Sequence, residues 1–406
     1  MKLTFLIVLI GVYACSAQDS STTPSPSYTD RRCGEDLGNL WLDVVAVVDN
    51  SIGMTNGGLT SIAANIASVV SSGTRIGTNP SEPRTTRLGL VTYNKAAAIQ
   101  ADLNQYQSLD DVYDNVFRAL SSVSTSEESY LANGLARAED VLEAGKQGYN
   151  RTHYQRVVIV YASAYKGSGA LDPVPVAERL KTSGVTVITV AYDQDGDGAL
   201  LADLAKIASP PYNFTNTEDN GQVIGEIQDA LLQVNCFCRN SWIQYRVSYT
   251  DVHSYRYGVC ILPVGFNAVW RAAKSSCMNR NAYLVTEFDS NKHDYVLTAV
   301  SNYTGFSVPL TYHNGLSMVK GVWVWDQPQG MPQPQLQSYA GWNPGYPISD
   351  STLTGVLNQQ SSVQLQSGWQ NIKPLTTGAN YVCETASCDT DNYCTEAGLA
   401  EISVKH

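Results

Sequence analysis

Charge is scarce in this chain. Only 16% of its 406 residues are Asp, Glu, Lys or Arg, which excludes a highly charged coiled coil, and the 43% hydrophobic share excludes a wholly disordered chain. Basic residues are the scarcer sign. The 26 Lys and Arg stand against 37 Asp and Glu, a net charge of −11, and no basic run interrupts the balance, so nucleic acid and anionic membranes are poor partners. Beyond Val12 no apolar run is long enough to span a bilayer, and the polar stretch Ala400 to His406 argues against a lipid-anchor signal. Catalytic signatures are missing too: there is no Gly-x-Ser-x-Gly, no His-Glu-x-x-His, no phosphate-cradling glycine loop and no Cys/His motif. His153, His253, His293, His313 and His406 belong to no motif and are expected at the surface. An enzyme is therefore not expected.

What is present is aromatic and extracellular in character. The 24 Tyr, 7 Trp and 7 Phe suit a binding surface and a small β-rich core equally. The length suggests two or three domains, at roughly 100–200 residues each. Met1-Lys2, the apolar run Leu3 to Val12 and the small residues Ala14 to Ala17 match a secretory signal over residues 1–17, cleaved near Ala17-Gln18. Cleavage removes Cys15 and leaves Cys33, Cys236, Cys238, Cys260, Cys277, Cys383, Cys388 and Cys394. An even set in an oxidising compartment, without any Cys-x-x-Cys, points to disulfides rather than zinc. Sequons at Asn150, Asn213 and Asn302 are candidate N-glycan acceptors.

Residues 18–39 begin with a Ser-, Thr- and Pro-rich stretch, Ser20 to Tyr28, and read as a flexible leader. Leu40 to Val48 is nearly all apolar and β-branched, a buried strand ending in the polar turn Asp49-Asn50-Ser51. Helical periodicity from Leu59 to Val70 follows, then strands at Arg87 to Tyr93, Val157 to Tyr161 and Val185 to Ala191, alternating with helices at Leu109 to Leu120, Leu131 to Ala144, Val174 to Thr182 and Val223 to Val234. This alternation predicts an α/β domain over residues 40–235, a doubly wound, mainly parallel sheet with ligands at the carboxyl ends of its strands. Residues 236–386 are aromatic- and turn-rich. They hold two helical candidates, Val269 to Met278 and Lys292 to Val300, and a loop without regular period from Asp326 to Asp350. Residues 387–406 form a cysteine-containing tail.

Asp49-Asn50-Ser51-Ile52-Gly53 at the end of the first strand, Thr86 to Tyr93 and Val157 to Tyr161 resemble a von Willebrand factor A domain. That resemblance implies a metal-ion-dependent adhesion site, where Asp-x-Ser-x-Ser, a Thr and a later Asp surround magnesium. Asp49 and Ser51 fit the first motif, whose third member is Gly53 here. Ser129 fits the Thr position, and Ser163 replaces the later carboxylate. A site short of one charge and one hydroxyl binds Mg2+ or Ca2+ weakly at best, with Glu127 or Glu128 as compensating ligands. Asp193-Gln194-Asp195-Gly196-Asp197-Gly198 opens like a helix-loop-helix calcium loop, but Leu204 stands where a bidentate Glu is required, so it reads as a solvated turn.

Trp270-Arg271-Ala272-Ala273 followed by Cys277, Ala282 to Thr286, Val322 to Trp325 and Tyr381-Val382-Cys383-Glu384 resemble a C-type lectin domain. The expected second domain is therefore α+β. The resemblance implies that Cys277 pairs with Cys383. Cys238 with Cys260, Cys33 with Cys236 and Cys388 with Cys394 would complete the set, the last pair closing a small loop in the tail. The family's inner disulfide has no cysteines here, so the long loop is expected to be mobile. Sugar-binding members hold calcium with Glu-Pro-Asn or Gln-Pro-Asp and Trp-Asn-Asp. Here Tyr346 and Ile348 flank Pro347, and Trp369-Gln370-Asn371 supplies amides in place of a carboxylate. Trp342, Tyr346, Trp369 and Asn371 are the expected ligand-binding residues.

The combination resembles secreted invertebrate proteins that join these two domains. It implies a non-enzymatic lectin-like protein binding carbohydrate or glycoconjugates, with innate defence as one setting. The alternative is an extracellular matrix or adhesion protein that binds protein partners. Neither membrane insertion nor nucleic acid is expected, and an oligomer is compatible with either reading.

Overall fold

The computed structural model describes residues 28–70, 73–147, 151–192, 198–216, 220–363 and 366–396. The signal segment, Asn150 and the turn at 193–197 lie outside the described residues. The first sheet contains β1 (Leu42–Asp49), β2 (Arg87–Tyr93), β3 (Ala97–Ala101), β4 (Gln155–Ala162), β5 (Val185–Ala191) and β6 (Asn213–Thr215), in the spatial order β3-β2-β1-β4-β5-β6. All pairs are parallel except β2 with β3. The helices are α1 (Thr55–Val69), α2 (Leu109–Ala119), α3 (Leu131–Ala144), α4 (Pro173–Thr182), α5 (Ala199–Leu204) and α6 (Asn220–Val234).

β1 shows why its sequence is apolar without alternation. Val44, Ala46 and Val48 pack on one face with Ile62 of α1, Val116 of α2 and Ile227 of α6. Val45 and Val47 point the other way, onto Leu135 of α3 and Leu180 of α4. A strand covered on both faces needs no polar side. The sheet is thus the doubly wound α/β architecture read from the sequence. β3 was not foreseen, because Ala97, Ala98, Ile99 and Gln100 are partly or largely exposed and lack a buried strand's pattern.

The second sheet is built from β7 (Ile243–Arg246), β8 (Arg256–Val269), β9 (Tyr283–Leu284), β10 (Thr311–Val319), β11 (Val322–Trp325), β12 (Gly355–Gln360), β13 (Ser367–Ile372) and β14 (Gly378–Ala386). α7 (Trp270–Met278) and α8 (Ser290–Ser301) pack on it. This is the half whose sequence resembles a C-type lectin domain, and it is α+β as expected. Four disulfides close, Cys33–Cys236, Cys238–Cys260, Cys277–Cys383 and Cys388–Cys394: the pair that the lectin resemblance implies and the three expected to complete the set. Cys277–Cys383 ties α7 to β14.

The stretch 28–39, expected to be part of a flexible leader, is instead strapped across both halves. Asp30 pairs with Lys292, which is fully buried on α8 and also donates to Glu384 at 2.8 Å and Thr286 at 2.9 Å. Arg31 grips Asp389 through both guanidinium nitrogens at 2.6 and 2.9 Å. Charged partners, rather than composition, hold the strap. The tail is anchored as well: the Trp41 indole donates to the Asp389 carbonyl at 3.0 Å, and its ring packs against Tyr154, Phe237 and Tyr393 at 5.0–5.3 Å between centroids.

Lys292→Met leaves two carboxylates buried without their cation. Removing one partner of a buried pair costs about 3–5 kcal/mol, so equilibrium urea unfolding should show a loss of that order. A loss below about 1 kcal/mol would mean that the strap does not depend on this pair.

Candidate functional site

The first candidate lies where β1 ends. Asp49 is fully buried, and its carboxylate accepts hydrogen bonds from every side. Oδ1 accepts from the Ser51 amide at 2.8 Å. Oδ2 accepts from the Ser129 hydroxyl at 2.8 Å and the Ser163 hydroxyl at 2.6 Å. Backbone bonds converge the loops that carry them, Asn50 N–H donating to Tyr93 at 2.8 Å and Ile52 N–H to Ser126 at 2.8 Å. Burial, and then the Asp49 charge, push the neighbouring Tyr93 hydroxyl well above its ordinary pKa, so it stays neutral. Gly53 faces the same cluster: a Cβ there would stand 3.6 Å from Ser163 Oγ and 3.7 Å from Ser51 Oγ.

The sequence-expected metal residues Asp49, Ser51 and Ser129 are therefore brought together, with Ser163 as a fourth member. Their chemistry does not fit magnesium. One carboxylate, already taken up by neutral donors, replaces the one or two free anionic ligands the ion needs. The Glu128 carboxylate accepts from the Tyr130 hydroxyl, and the Glu127 backbone carbonyl accepts from Lys166 at 2.9 Å. Among the described residues no three His, Cys, Asp or Glu side chains converge as they would around a metal.

The second candidate is the long loop 326–354 between β11 and β12. It is ordered by side-chain amides. Asn343 Nδ2 donates to the carbonyls of Gln359 and Gly368, both at 3.0 Å. Asn371 accepts from Ile348 N–H at 2.8 Å and donates to the Ile348 carbonyl at 2.9 Å. Trp342 and Trp369 form a bridge, and the Trp342 ring wedges between Trp323 at 5.0 Å and Trp369 at 5.7 Å. No disulfide holds this loop, expected from the sequence to be mobile; backbone and amide hydrogen bonds tie it to β12 and β13.

Beneath the loop sits Glu287, fully buried. It accepts from the Trp369 indole at 2.5 Å, the Tyr312 hydroxyl at 2.8 Å and His293 Nδ1 at 2.9 Å. Burial raises the Glu287 pKa, but the His293 charge and these donors outweigh it and hold the carboxyl below its ordinary value. Burial pulls His293 down, but Glu287 outweighs it and raises its pKa. Two histidines expected at the surface are therefore buried: His293 in this pair, and His313, whose burial lowers its pKa to about 4. A lone His carries no periodic signal that reveals its burial. A carboxylate six positions upstream on a neighbouring turn was the available clue.

Of the four expected ligand-binding residues, two are structural. Trp369 is 0% exposed and Asn371 4%, its amide spent on the loop backbone. Trp342 and Tyr346 are partly exposed, beside exposed Pro344, Pro347 and Ile348. Asp350, the carboxylate of this stretch, caps its own turn by accepting from Thr352 N–H and hydroxyl at 2.8 Å each. The donors present do not fit calcium. Among the sequons, Asn302 is exposed and donates to the Thr298 carbonyl at 2.9 Å, whereas Asn213 is half-buried, donating to the Leu201 carbonyl at 2.9 Å and accepting from the Thr189 hydroxyl at 2.6 Å.

Residues 43–230 match the family model of the von Willebrand factor type A domain. The chain is 25% identical over 386 residues to C-type lectin domain-containing protein 160 of Caenorhabditis elegans, covering 91% of this chain and 57% of that protein. It therefore spans little over half the length of that relative. Proximal thread matrix protein 1 from the mussel byssus overlaps 50% of the chain and 49% of its own, at 18% identity and a TM-score of 0.41. A SPL-1 complex with GlcNAc overlaps 37% of this chain and 96% of its own, at 21% identity and a TM-score of 0.29. Scores this low mark similarity in parts of the chain and nothing finer.

Gly53→Ser with Ser163→Asp restores a hydroxyl and a carboxylate to the Asp49 cluster. Titration calorimetry should show Mg2+ affinity at least about tenfold higher than wild type, roughly 1.4 kcal/mol or more; no gain would mean that geometry, not ligand chemistry, disfavours the ion. A raised His293 pKa means that the folded state holds the proton more tightly. Its contribution is full below about pH 6.5 and is lost as pH rises through the raised value. The depressed Glu287 carboxyl adds the opposite limb, lost as pH falls below its ordinary range. Urea midpoints should fall for wild type from pH 6.5 upward more steeply than for His293→Gln; parallel curves would contradict the pair.

Proposed function

We propose that this chain, a von Willebrand factor type A domain joined to a C-type lectin-like half, is a secreted, non-enzymatic recognition protein. It binds carbohydrate or glycoconjugate ligands at the surface of the long loop without a divalent cation, and the first domain presents that surface. The observation that supports this reading most directly is a loop already ordered by Asn343, Asn371 and the Glu287 network. Ordering before binding lowers the entropic cost of recognition. The surface so fixed carries Trp342, Tyr346 and exposed Ile348, and aromatic rings offer apolar faces to sugar C–H groups while the Tyr hydroxyl hydrogen-bonds. Four disulfides and the absence, among the described residues, of a helix long and apolar enough to cross a membrane are compatible with secretion.

A glycan array run with the whole protein tests this. Chelator-resistant binding, competed by the soluble sugar and weakened about tenfold or more by Tyr346→Ala, is the expected result. Binding abolished by chelator would overturn the metal-free mechanism. An absence of any glycan binding would overturn the ligand class and turn the reading to an adhesion protein with protein partners.

A further inference from the structure

A cavity of about 700 Å³ opens between three separate parts of the chain, none of them the long loop. One wall is α6, which presents Glu226, Asp229 and Leu232. A second is the strap at Glu35 and Leu37. The third is the turn between β7 and β8, with His253 and Tyr255, and the floor is completed by Tyr212 and Phe214. This volume lies within the roughly 300–1,000 Å³ range of ligand sites.

Its walls are set rigidly. The Cys33–Cys236 disulfide joins the strap to the end of α6. Arg256 N–H donates to Gln233 Oε1 at 2.9 Å, and its guanidinium donates to the carbonyls of Gln233 at 3.1 Å and Cys236 at 3.0 Å, fixing β8 against the same helix. Leu37, Tyr212, Phe214 and Leu232 pack their inner sides on the first domain's core and leave their outer sides to the cavity.

The charge on these walls is one-sided. Among the lining residues the carboxylates Glu35, Glu226 and Asp229 outnumber the one guanidinium, Arg32, while Arg246 and Arg256 act on Tyr212 from outside that lining. Gln222 donates to Glu226 at 3.3 Å. Among the described residues neither Glu35 nor Asp229 has a salt-bridge or hydrogen-bond partner through its carboxylate, although both act on Tyr255, whose hydroxyl is raised by burial, against Arg32, and then by these two charges. Apolar walls with surplus carboxylates at the mouth complement a ligand with an apolar body and positive ends.

We propose that this groove between the two halves is a second binding site, for a short basic peptide segment of a partner protein in which Lys or Arg alternates with apolar side chains. The apolar residues enter between Phe214, Leu232 and Tyr255, and the cations meet Glu35 and Asp229. Such a site lets the protein hold a protein partner and a loop ligand at once.

The probe is fluorescein-labelled acetyl-Leu-Lys-Leu-Lys-Leu-amide, titrated by anisotropy against the full, disulfide-intact protein, with the Leu-Glu counterpart as comparison. Saturable binding of the lysine peptide alone is expected, weakening with salt. Glu35→Lys with Asp229→Lys should weaken it at least tenfold, and the milder Glu35→Gln with Asp229→Asn several-fold with an unchanged circular dichroism spectrum. Asp110→Lys with Asp114→Lys changes the net charge equally on exposed positions of α2 outside the groove and should leave the affinity within twofold. Equal weakening by both charge-reversed pairs, equal binding of the glutamate peptide, or no saturable binding would each overturn the proposal.

Discussion

A carboxylate with no access to water is tolerable only if the protein supplies every hydrogen bond that water would have made. Glu287 meets that condition with donors from three elements: His293 on α8, Tyr312 on β10 and Trp369 on β13. These bonds place the Trp369 indole, and Trp369 in turn carries the bridge to Trp342 and the carbonyl that takes Asn343 N–H at 3.0 Å. The ordered loop surface is therefore the outer layer of a buried electrostatic arrangement. Without Glu287 the indole and the two partner groups would be left unsatisfied in the core, and the loop would lose its floor.

The same solution recurs at two other points of the fold. Asp49 is closed by the hydroxyls of Ser129 and Ser163 and the amide of Ser51. Asp389 is closed by Arg31 and the amides of Asp391 and Asn392, and its carbonyl receives the Trp41 indole. At the top of the first sheet, under the long loop and at the seam between the halves, a buried anion is answered by protein donors. At the two positions where the resemblances implied a metal, neutral hydroxyls and amides occupy the places of charged ligands. Neutral donors that bond one another hold a shape well, and they bind a hard cation poorly.

Much of the architecture was legible because it rests on periodicity. Val44 to Val48 could only be a strand covered on both faces, and the helical repeat of Leu131, Leu135, Ala138 and Leu142 places α3 on the sheet. The von Willebrand A resemblance also grouped Asp49, Ser51 and Ser129. What stayed hidden depends on partners far apart in sequence. Asp30 lies in a stretch whose composition reads as leader, and only Lys292, 262 positions away, explains its burial. Trp369 and Asn371 looked like ligand residues from their neighbours in the chain. Their hydrogen bonds to Glu287 and Ile348 turn them inward, and no local pattern encodes such long-range bonds.

The central claim is that the recognition loop is ordered by its own amides and by Glu287, with no contribution from calcium. Amide hydrogen exchange across residues 336–348, measured on the intact protein in calcium and again in chelator, tests it most directly. Equal protection of the Ile348 and Asn343 amides in the two solutions is the predicted result. Protection that appears in calcium and collapses in chelator would contradict it.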